Sequence, residues 1–418
     1  AGALIRKEQA MKRTLITNIG MLATPQGTAA RGGRAQGEIC ILKNAWIFIE
    51  NDVIAQVGTG TAPAAADAQT INAGGKLVTP GLVDAHTHLI FGGWRQNELA
   101  LKLHGAGYLD ILAAGGGILS TMRATQSASE EQLEAKASAA LDEMLRFGTT
   151  TAEAKSGYGL STGEECKALR VIGNLQKHHV MDLAATFMGA HAVPETYRDN
   201  RQGYLELLCE EMLPAVREQG IAEFCDVFCE KGVFSAEESR RILLTGRQHG
   251  LRPKIHADEI EAIGGSELAG EIGAVSAEHL IVCPPSGIAS MARGGTVACC
   301  LPATSFYLGA AYAPVQDMVQ VGVPVAMATD FNPGSCPCLN MQLVISLGCL
   351  RYRLTPEQAL TAVTLNGAAA ICRADRIGSI EPGKQADILI WNAEDLDYIC
   401  YRLGSNLVDT VIKKGNVV

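Results

Sequence analysis

Five of the nine histidines in this 418-residue chain stand at or just past the ends of short apolar, strand-like runs: His86, His88, His191, His256 and His279. In Asp84-Ala85-His86-Thr87-His88 the two imidazoles are two positions apart. On an extended strand that spacing turns both to one side, roughly 7 Å apart along the backbone. Such a pair alone is a weak signal, but here it closes the apolar run Val78-Thr79-Pro80-Gly81-Leu82-Val83. His256 follows Lys254-Ile255 and leads into Ala257-Asp258-Glu259, His279 ends Ser276-Ala277-Glu278, and Asp330 follows Val325-Ala326-Met327-Ala328-Thr329. A turn or helix cap is the plain reading of Asp330 by itself. Together the strand ends point to one site. The imidazoles of His86, His88 and His256 with the Asp330 carboxylate suit Zn²⁺ or another borderline divalent cation, with a position left for water. Such an ion brings the pKa of its water towards about 7. Asp330 then reads as a ligand, as the base that takes the water proton, or as both, and we favour both.

Chemistry of this kind needs a scaffold that brings distant strand ends together. Runs rich in β-branched and apolar residues occur at 77–86, 149–155, 183–188, 223–228, 253–257, 274–278, 296–301 and 325–329. Helical patterns lie between them, among them 130–147, 164–178 and 236–249, and Ser161-Thr162-Gly163-Glu164 reads as a cap before the second. Eight strands alternating with helices predict an α/β fold, a (β/α)₈ TIM-type barrel, whose catalytic face is the C-terminal edge of its strands. Strand-like runs at 39–42, 45–49 and 53–57, then at 386–391 and 408–412, frame a loop at 58–66. They predict a small composite β-sandwich domain formed by both chain ends, residues 11–75 with 380–418, beside a barrel spanning 76–379. No fixed-period repeat is present.

Bulk properties narrow the partners. Hydrophobic residues make up 47% and charged residues 19%, so a large core is available. A net charge of −9 without a basic stripe argues against nucleic acid. No apolar run reaches the roughly 18 residues of a bilayer span, and the first residues lack the apolar core of a signal peptide. Met11 reads as a native start, with residues 1–10 as an added leader. The thirteen cysteines include the close pairs Cys225/Cys229, Cys299/Cys300 and Cys336/Cys338 but no CxxC. They read as reduced, buried thiols of a cytoplasmic protein. Gly115-Gly116-Gly117 fits neither phosphate-loop pattern.

The order of Pro80-Gly81-Leu82-Val83-Asp84-Ala85-His86-Thr87-His88, His256-x-x-Glu259, His279 and Asp330 resembles the amidohydrolase superfamily across nearly the whole chain. Further segments resemble its imidazolonepropionase family: Phe91-Gly92-Gly93-Trp94-Arg95-Gln96-Asn97-Glu98, Ala114-Gly115-Gly116-Gly117-Ile118, Lys155-Ser156-Gly157-Tyr158-Gly159-Leu160, Gly189-Ala190-His191 and Asp330-Phe331-Asn332-Pro333-Gly334-Ser335. That resemblance implies hydrolysis of the cyclic amide C–N bond of 4-imidazolone-5-propanoate to N-formimidoyl-L-glutamate, in histidine degradation, by a metal-activated water. It implies one zinc or iron per chain and a homodimer. Arg95 and Tyr158 would take the carboxylate tail, Arg95 bidentately; a structural salt bridge to Glu98 is the competing reading. His191, Asn332, Gly334 and Ser335 would line the substrate, with loop structure as their plainer role. His279 would hold the oxyanion, Asp330 would move the water proton to the leaving nitrogen, and Glu259 would bond the ring nitrogen and relay a proton. In binuclear relatives a carbamylated lysine ends the fourth strand. Lys155 ends the second, and the fourth ends at Cys229, Glu230 and Lys231, which favours one ion. The same donor set would serve a deaminase of purines or pyrimidines. A noncatalytic, metal-binding barrel is disfavoured because pure binding needs neither Glu259 nor Asp330 as a proton shuttle.

Overall fold

The computed structural model describes residues 12–64, 67–105 and 116–418. Residues 1–10 and Met11, read above as a leader and start, lie outside them, as do Ala114 and Gly115 of the glycine-rich segment. The chain begins with β1 (Arg13–Thr24), β2 (Cys40–Glu50), β3 (Val53–Thr59), β4 (Gln69–Asn72) and β5 (Leu77–Pro80). Then come β6 (Leu82–Asp84), β7 (Thr149–Lys155), β8 (Asp182–Ala190), β9 (Phe224–Cys229), β10 (Arg252–Ala257), β11 (Ser276–His279), β12 (Val297–Cys300) and β13 (Val325–Met327). It returns through β14 (Ile388–Trp391), β15 (Val408–Lys413) and β16 (Asn416–Val417).

β6 to β13 form an eight-stranded sheet in strict sequence order, parallel throughout. Helices cross back between most of its strands, including Glu130–Arg146, Thr162–His178 and Ala236–Gln248. The barrel closes past the ends of its first and last strands. Asp330 N–H donates to His86 O at 3.0 Å and His88 N–H to Phe331 O at 2.9 Å. Below them the Asp84 carboxylate accepts from Thr329 N at 3.0 Å and Thr329 Oγ1 at 2.5 Å. The residues that close the barrel are thus neighbours of the predicted metal donors, so closing the fold and assembling the site are one event.

The predicted strand at 77–86 is in fact two. Leu77–Pro80 pairs with β1 and β14 in the sheet of the chain ends, and only Leu82–Asp84 belongs to the barrel. Gly81 sits at the changeover, where a Cβ would lie 2.2 Å from Thr150 Oγ1. The sheet of the chain ends has eight strands around its own core of Ile16, Ile19, Leu22, Ile47, Ile49, Val78, Ile388, Ile390 and Ile412. Its long strand β1 had no counterpart in the sequence reading, because Asn18-Ile19-Gly20 breaks the alternation where the register with β2 shifts. β4 was likewise missed. Ser161 precedes its helix without a side-chain cap bond; full capping boxes stand instead at Ser129/Gln132, Ser235/Glu238 and Thr355/Gln358.

Barrel and end sheet are joined by a polar knot. Lys413 on β15, with a fully buried side chain, pairs with Asp387 at 2.6 Å and with Asp182 of β8 at 2.8 Å. Lys414 reaches the other oxygen of Asp182 at 2.6 Å. Removing a buried partner strands the remaining charge, so Lys413→Ala costs about 3–5 kcal/mol in denaturant unfolding. Burial alone would raise the Asp182 pKa, but Lys413, Lys414 and Gln385 together hold it down at about 2. A depressed carboxylate stabilises the fold above its unfolded pKa and loses that contribution as pH falls through the folded value. Asp182→Asn therefore lowers stability at pH 7 by on the order of 1 kcal/mol, after discounting for its partial exposure, and the melting temperature with it. That difference shrinks between pH 4 and pH 2, as thermal melts across that range would read.

Candidate metal centre

The residues read as metal donors meet at the C-terminal mouth of the barrel. Nε2 of His88 and Nε2 of His256 lie 3.3 Å apart. Asp330 Oδ1 is 3.4 Å from His86 Nε2 and 3.6 Å from His88 Nε2. Nδ1 of His86 faces Glu278 Oε2 at 2.9 Å and Nδ1 of His256 faces Asp226 Oδ1 at 3.2 Å. A carboxylate accepts, so each Nδ1 carries the proton and each Nε2 turns a lone pair inward. His86 Nε2 and Asp330 Oδ1 are buried with no hydrogen-bond partner among the described residues. Lone pairs aimed at one another are unfavourable unless a cation lies between them. In a tetrahedral site with bonds of about 2.0–2.1 Å the donors stand about 3.3 Å apart, close to these three spacings. Two overlapping groups of three could hold a divalent ion, His86 with His88 and Asp330, and His86 with His256 and His279.

Beneath the donors lies a layer the sequence reading did not find. Lys155 Nζ sits 2.8 Å from Glu153 and 2.7 Å from Asp226; Lys254 Nζ sits 3.0 Å from Glu153 and 3.5 Å from Glu278. All five side chains are fully buried. The two carboxylates that aim His256 and His86 are therefore themselves held by lysines. Lys254 also bonds the carbonyls of Ala85 at 3.2 Å and Ala370 at 3.3 Å, at the edge of the apolar cluster around the helix Leu365–Ala370. The signal was present in the sequence as charged residues inside strands, Glu153, Asp226, Lys254 and Glu278, at positions where a wholly buried strand should be apolar.

Burial works against charge on Lys155, yet Asp226 and Glu153 more than offset it and drive its pKa upward. It stays an ammonium, whereas carbamylation needs the free amine. At the end of β9, Glu230 spends its oxygens on the N–H groups of Lys231, Ile260 and Glu261, and Lys231 pairs with Glu261. Neither gathers around a second ion. His86 and His88 are held neutral, well below the usual histidine range, by burial first, then by Lys155 for His86 and by His191 for His88.

His279 is brought to the same centre. Its Nδ1 is buried without a partner among the described residues, and its Nε2 is 3.7 Å from Glu259 Oε2. Burial is the main reason its pKa falls to about 4 and that of Glu259 rises to about 7. Thr304 Oγ1 donates to Asp330 Oδ2 at 2.7 Å, fixing the carboxylate with Oδ1 facing the donors. Asp258, His279, Leu280 and Asp330 all have positive φ, at 52°, 68°, 61° and 58°. Left-handed backbone is uncommon outside glycine, and four such residues stand at strand ends around the site.

Around the centre, the other predicted residues divide. Arg95 is gripped by Glu98, at 2.8 Å to Nε and 3.0 Å to Nη2, and Glu98 also accepts from Gly117 N at 2.7 Å. The competing salt-bridge reading is thus real, and it orients the guanidinium. A Cβ on Gly334 would lie 2.2 Å from Arg95 Nη1, so glycine is what lets Arg95 approach that loop. Burial pushes the Tyr158 pKa up despite the nearby Arg95. His191 stacks on His88 at 4.8 Å and donates from Nδ1 to Gly157 O at 3.0 Å. Asn332 is occupied by its own loop: its amide donates to Asp330 O and Ser335 Oγ, and its oxygen accepts from Gly334 N and Ser335 N. That is the loop-structure reading of Asn332 and Ser335.

Buried Glu165, unremarked in the sequence, accepts from the N–H groups of Gly157, Gly159 and Leu160 at 2.8–3.0 Å and sets the loop carrying Tyr158. Lys136, also missed, lies over the rings of Phe91 at 3.7 Å and Trp94 at 4.4 Å, beside Arg95.

With this geometry in place, comparison with known proteins is decisive. The Amidohydrolase family matches residues 77–418. An imidazolonepropionase of Alkaliphilus metalliredigens is 50% identical over 98% of both chains, and one of Bacillus cereus is 48% identical over 97% of both. The chain belongs to the amidohydrolase family, in its imidazolonepropionase branch. Solved structures of similar fold include a Xanthomonas campestris adenosine deaminase with bound zinc, with TM-score 0.69, 19% identity, and coverage of 97% of this chain and 92% of that one. Another is the Arthrobacter aurescens atrazine chlorohydrolase complexed with zinc, with TM-score 0.68, 17% identity, and coverage of 97% and 94%. At those identities the likeness bears on the fold, and it matches the barrel with an added sheet described above.

If Asp226 aims His256, Asp226→Asn weakens zinc binding about 10–100-fold in a chelator-competition titration, and Glu278→Gln acts in the same direction through His86. Unchanged affinity in both would mean that the lysine–carboxylate layer does not position the donors.

Proposed function

We propose that this chain hydrolyses the cyclic amide C–N bond of 4-imidazolone-5-propanoate, giving N-formimidoyl-L-glutamate, as a step of histidine degradation. The carrying observation is Arg95: a cation fixed by Glu98, close to Tyr158 and Gly334, at the barrel mouth that holds the clustered histidines and Asp330. It suits a small ring with a carboxylate tail, and the names of relatives at about half identity support the same substrate.

His86, His88, His256 and Asp330 would hold one ion, zinc or iron. When bound, it supplies an activated water near neutral pH and polarises the ring carbonyl. Arg95 takes the tail carboxylate with Tyr158 donating beside it, which fixes how the ring faces the donors. Asp330 accepts a proton on a carboxylate oxygen and passes it towards the leaving nitrogen. Thr304 keeps that carboxylate from rotating. His279, neutral and unpartnered at Nδ1, donates to the developing oxyanion. Glu259 shares a proton with the ring nitrogen; a carboxyl pushed to about 7 by burial suits that exchange. His191, with Nδ1 committed to Gly157, offers Nε2 to the ring. Asn332, Gly334 and Ser335 shape the wall against which Arg95 lies.

Loss of the substrate's absorbance by the metal-loaded protein tests the reaction. Arg95→Met raises KM about 10–100-fold with a smaller change in kcat, because the lost ion pair is present in ground state and transition state alike. Ammonia release from a purine or pyrimidine, with no turnover of the imidazolone, would overturn the assignment in favour of deamination. A bound ion with no turnover of either would make the barrel a binding protein.

A further inference from the structure

Lys136, half-buried on the helix Glu130–Arg146, spends its charge in an unusual way. Among the described residues no carboxylate pairs with it. Its ammonium instead donates to Gly93 O and lies over the rings of Phe91 and Trp94, 3.7 Å and 4.4 Å from their centroids. Burial lowers its pKa only to about 8, so the ammonium is the major form at pH 7. All three partners belong to one loop, which leaves the barrel after His88 and delivers Arg95.

That loop is irregular from Leu89 to Arg95 and depends on side chains for its place. Gly92 N–H donates to Thr125 Oγ1 at 2.9 Å, and a Cβ on Gly92 would lie 2.3 Å from Ala124 O. The chain thus passes tight against the helix Ile118–Ser127 and turns at Gly93, where φ is 69°. Phe91, Trp94 and Phe331 form an aromatic triad with centroids 5.0, 5.7 and 6.0 Å apart. Phe331 follows Asp330, and its carbonyl accepts from His88 N–H at 2.9 Å. The rings therefore tie the loop to the segment that closes the barrel, while Lys136 grips the same loop from its helix.

We infer that Lys136 is a positioning residue for binding of the tail carboxylate: by holding Phe91, Gly93 and Trp94 it sets where the Arg95 guanidinium stands at the mouth. This rests on the reading of Arg95 as the group that takes the tail. Glu98 orients the guanidinium; Lys136 fixes the stretch of backbone just before it. A lysine head on a long apolar stem can face two rings and a carbonyl at once. Its effect belongs to substrate binding, since Lys136 acts through Arg95 and not on the reacting atoms.

The test compares full-length, metal-loaded wild type, Lys136→Met and Lys136→Arg at pH 7. Lys136→Met keeps the apolar stem and removes the charge. It should raise KM for 4-imidazolone-5-propanoate about three- to tenfold, with kcat within about twofold. Lys136→Arg, which can also lie over the rings and donate to the carbonyl, should recover most of the wild-type KM. In an Arg95→Met background, Lys136→Met should add less than about twofold. Amide hydrogen exchange over residues 91–98 should quicken in Lys136→Met, while exchange over 149–155 stays as in the wild type. Unchanged exchange over 91–98, an unchanged KM, or an equal loss with and without Arg95 overturns the inference. So does a fall in kcat and melting temperature with KM intact, the mark of a merely structural lysine. If the wild type turns over no imidazolone, the substrate reading fails by itself, and the exchange comparison still decides whether Lys136 holds the loop.

Discussion

Five acidic and basic side chains are shut inside the barrel without solvent: Glu153, Asp226, Glu278, Lys155 and Lys254. Charges in such a place are tolerated only when each is paired and hydrogen-bonded, since stranding one costs several kcal/mol. Here the pairing is a chain, Glu278 to Lys254 to Glu153 to Lys155 to Asp226, running across β11, β10, β7 and β9. Its two carboxylate ends are the groups that aim His86 and His256. A hydrophobic filling of the same volume would serve stability equally well. What the ions add is direction: each imidazole is locked in one tautomer with its Nε2 lone pair turned to a shared point.

The same economy governs the outer loops. Glu98, Glu165 and Glu230 each gather backbone N–H groups or a cation from a different crossover. They replace the rigidity that strands would supply and that irregular backbone lacks. Arg95, Tyr158 and the strand-end turn after β10 are fixed by these carboxylates in turn. Positive-φ residues at Asp258, His279 and Asp330 add strain where side chains must leave the strand direction, and the closed barrel around them holds that strain.

Much of this was legible in the sequence. The residues gathered at the barrel mouth could be found because His86, His88, His256 and Asp330 end apolar runs, and eight such runs with intervening helical periodicity define the barrel. The lysine–carboxylate chain was not legible, because pairing among strands 20 to 100 residues apart leaves no local pattern. The turn at Gly81 was hidden by continuous apolarity on both sides, which made two strands in different sheets look like one. β1 was lost to its own irregularity at Asn18-Ile19-Gly20. At Asn332 and Ser335 the limit is different: a family motif marks a loop as functional without saying which of its side chains hold the loop and which face outward.

Anomalous scattering at the zinc edge from crystals of the zinc-loaded protein addresses the arrangement most directly. A single peak is expected between Nε2 of His86, His88 and His256 and Oδ1 of Asp330, with Lys155 an unmodified amine paired to Glu153 and Asp226. A peak held by His86, His256 and His279 without Asp330, or a second peak beside a carbamylated Lys155, would contradict it.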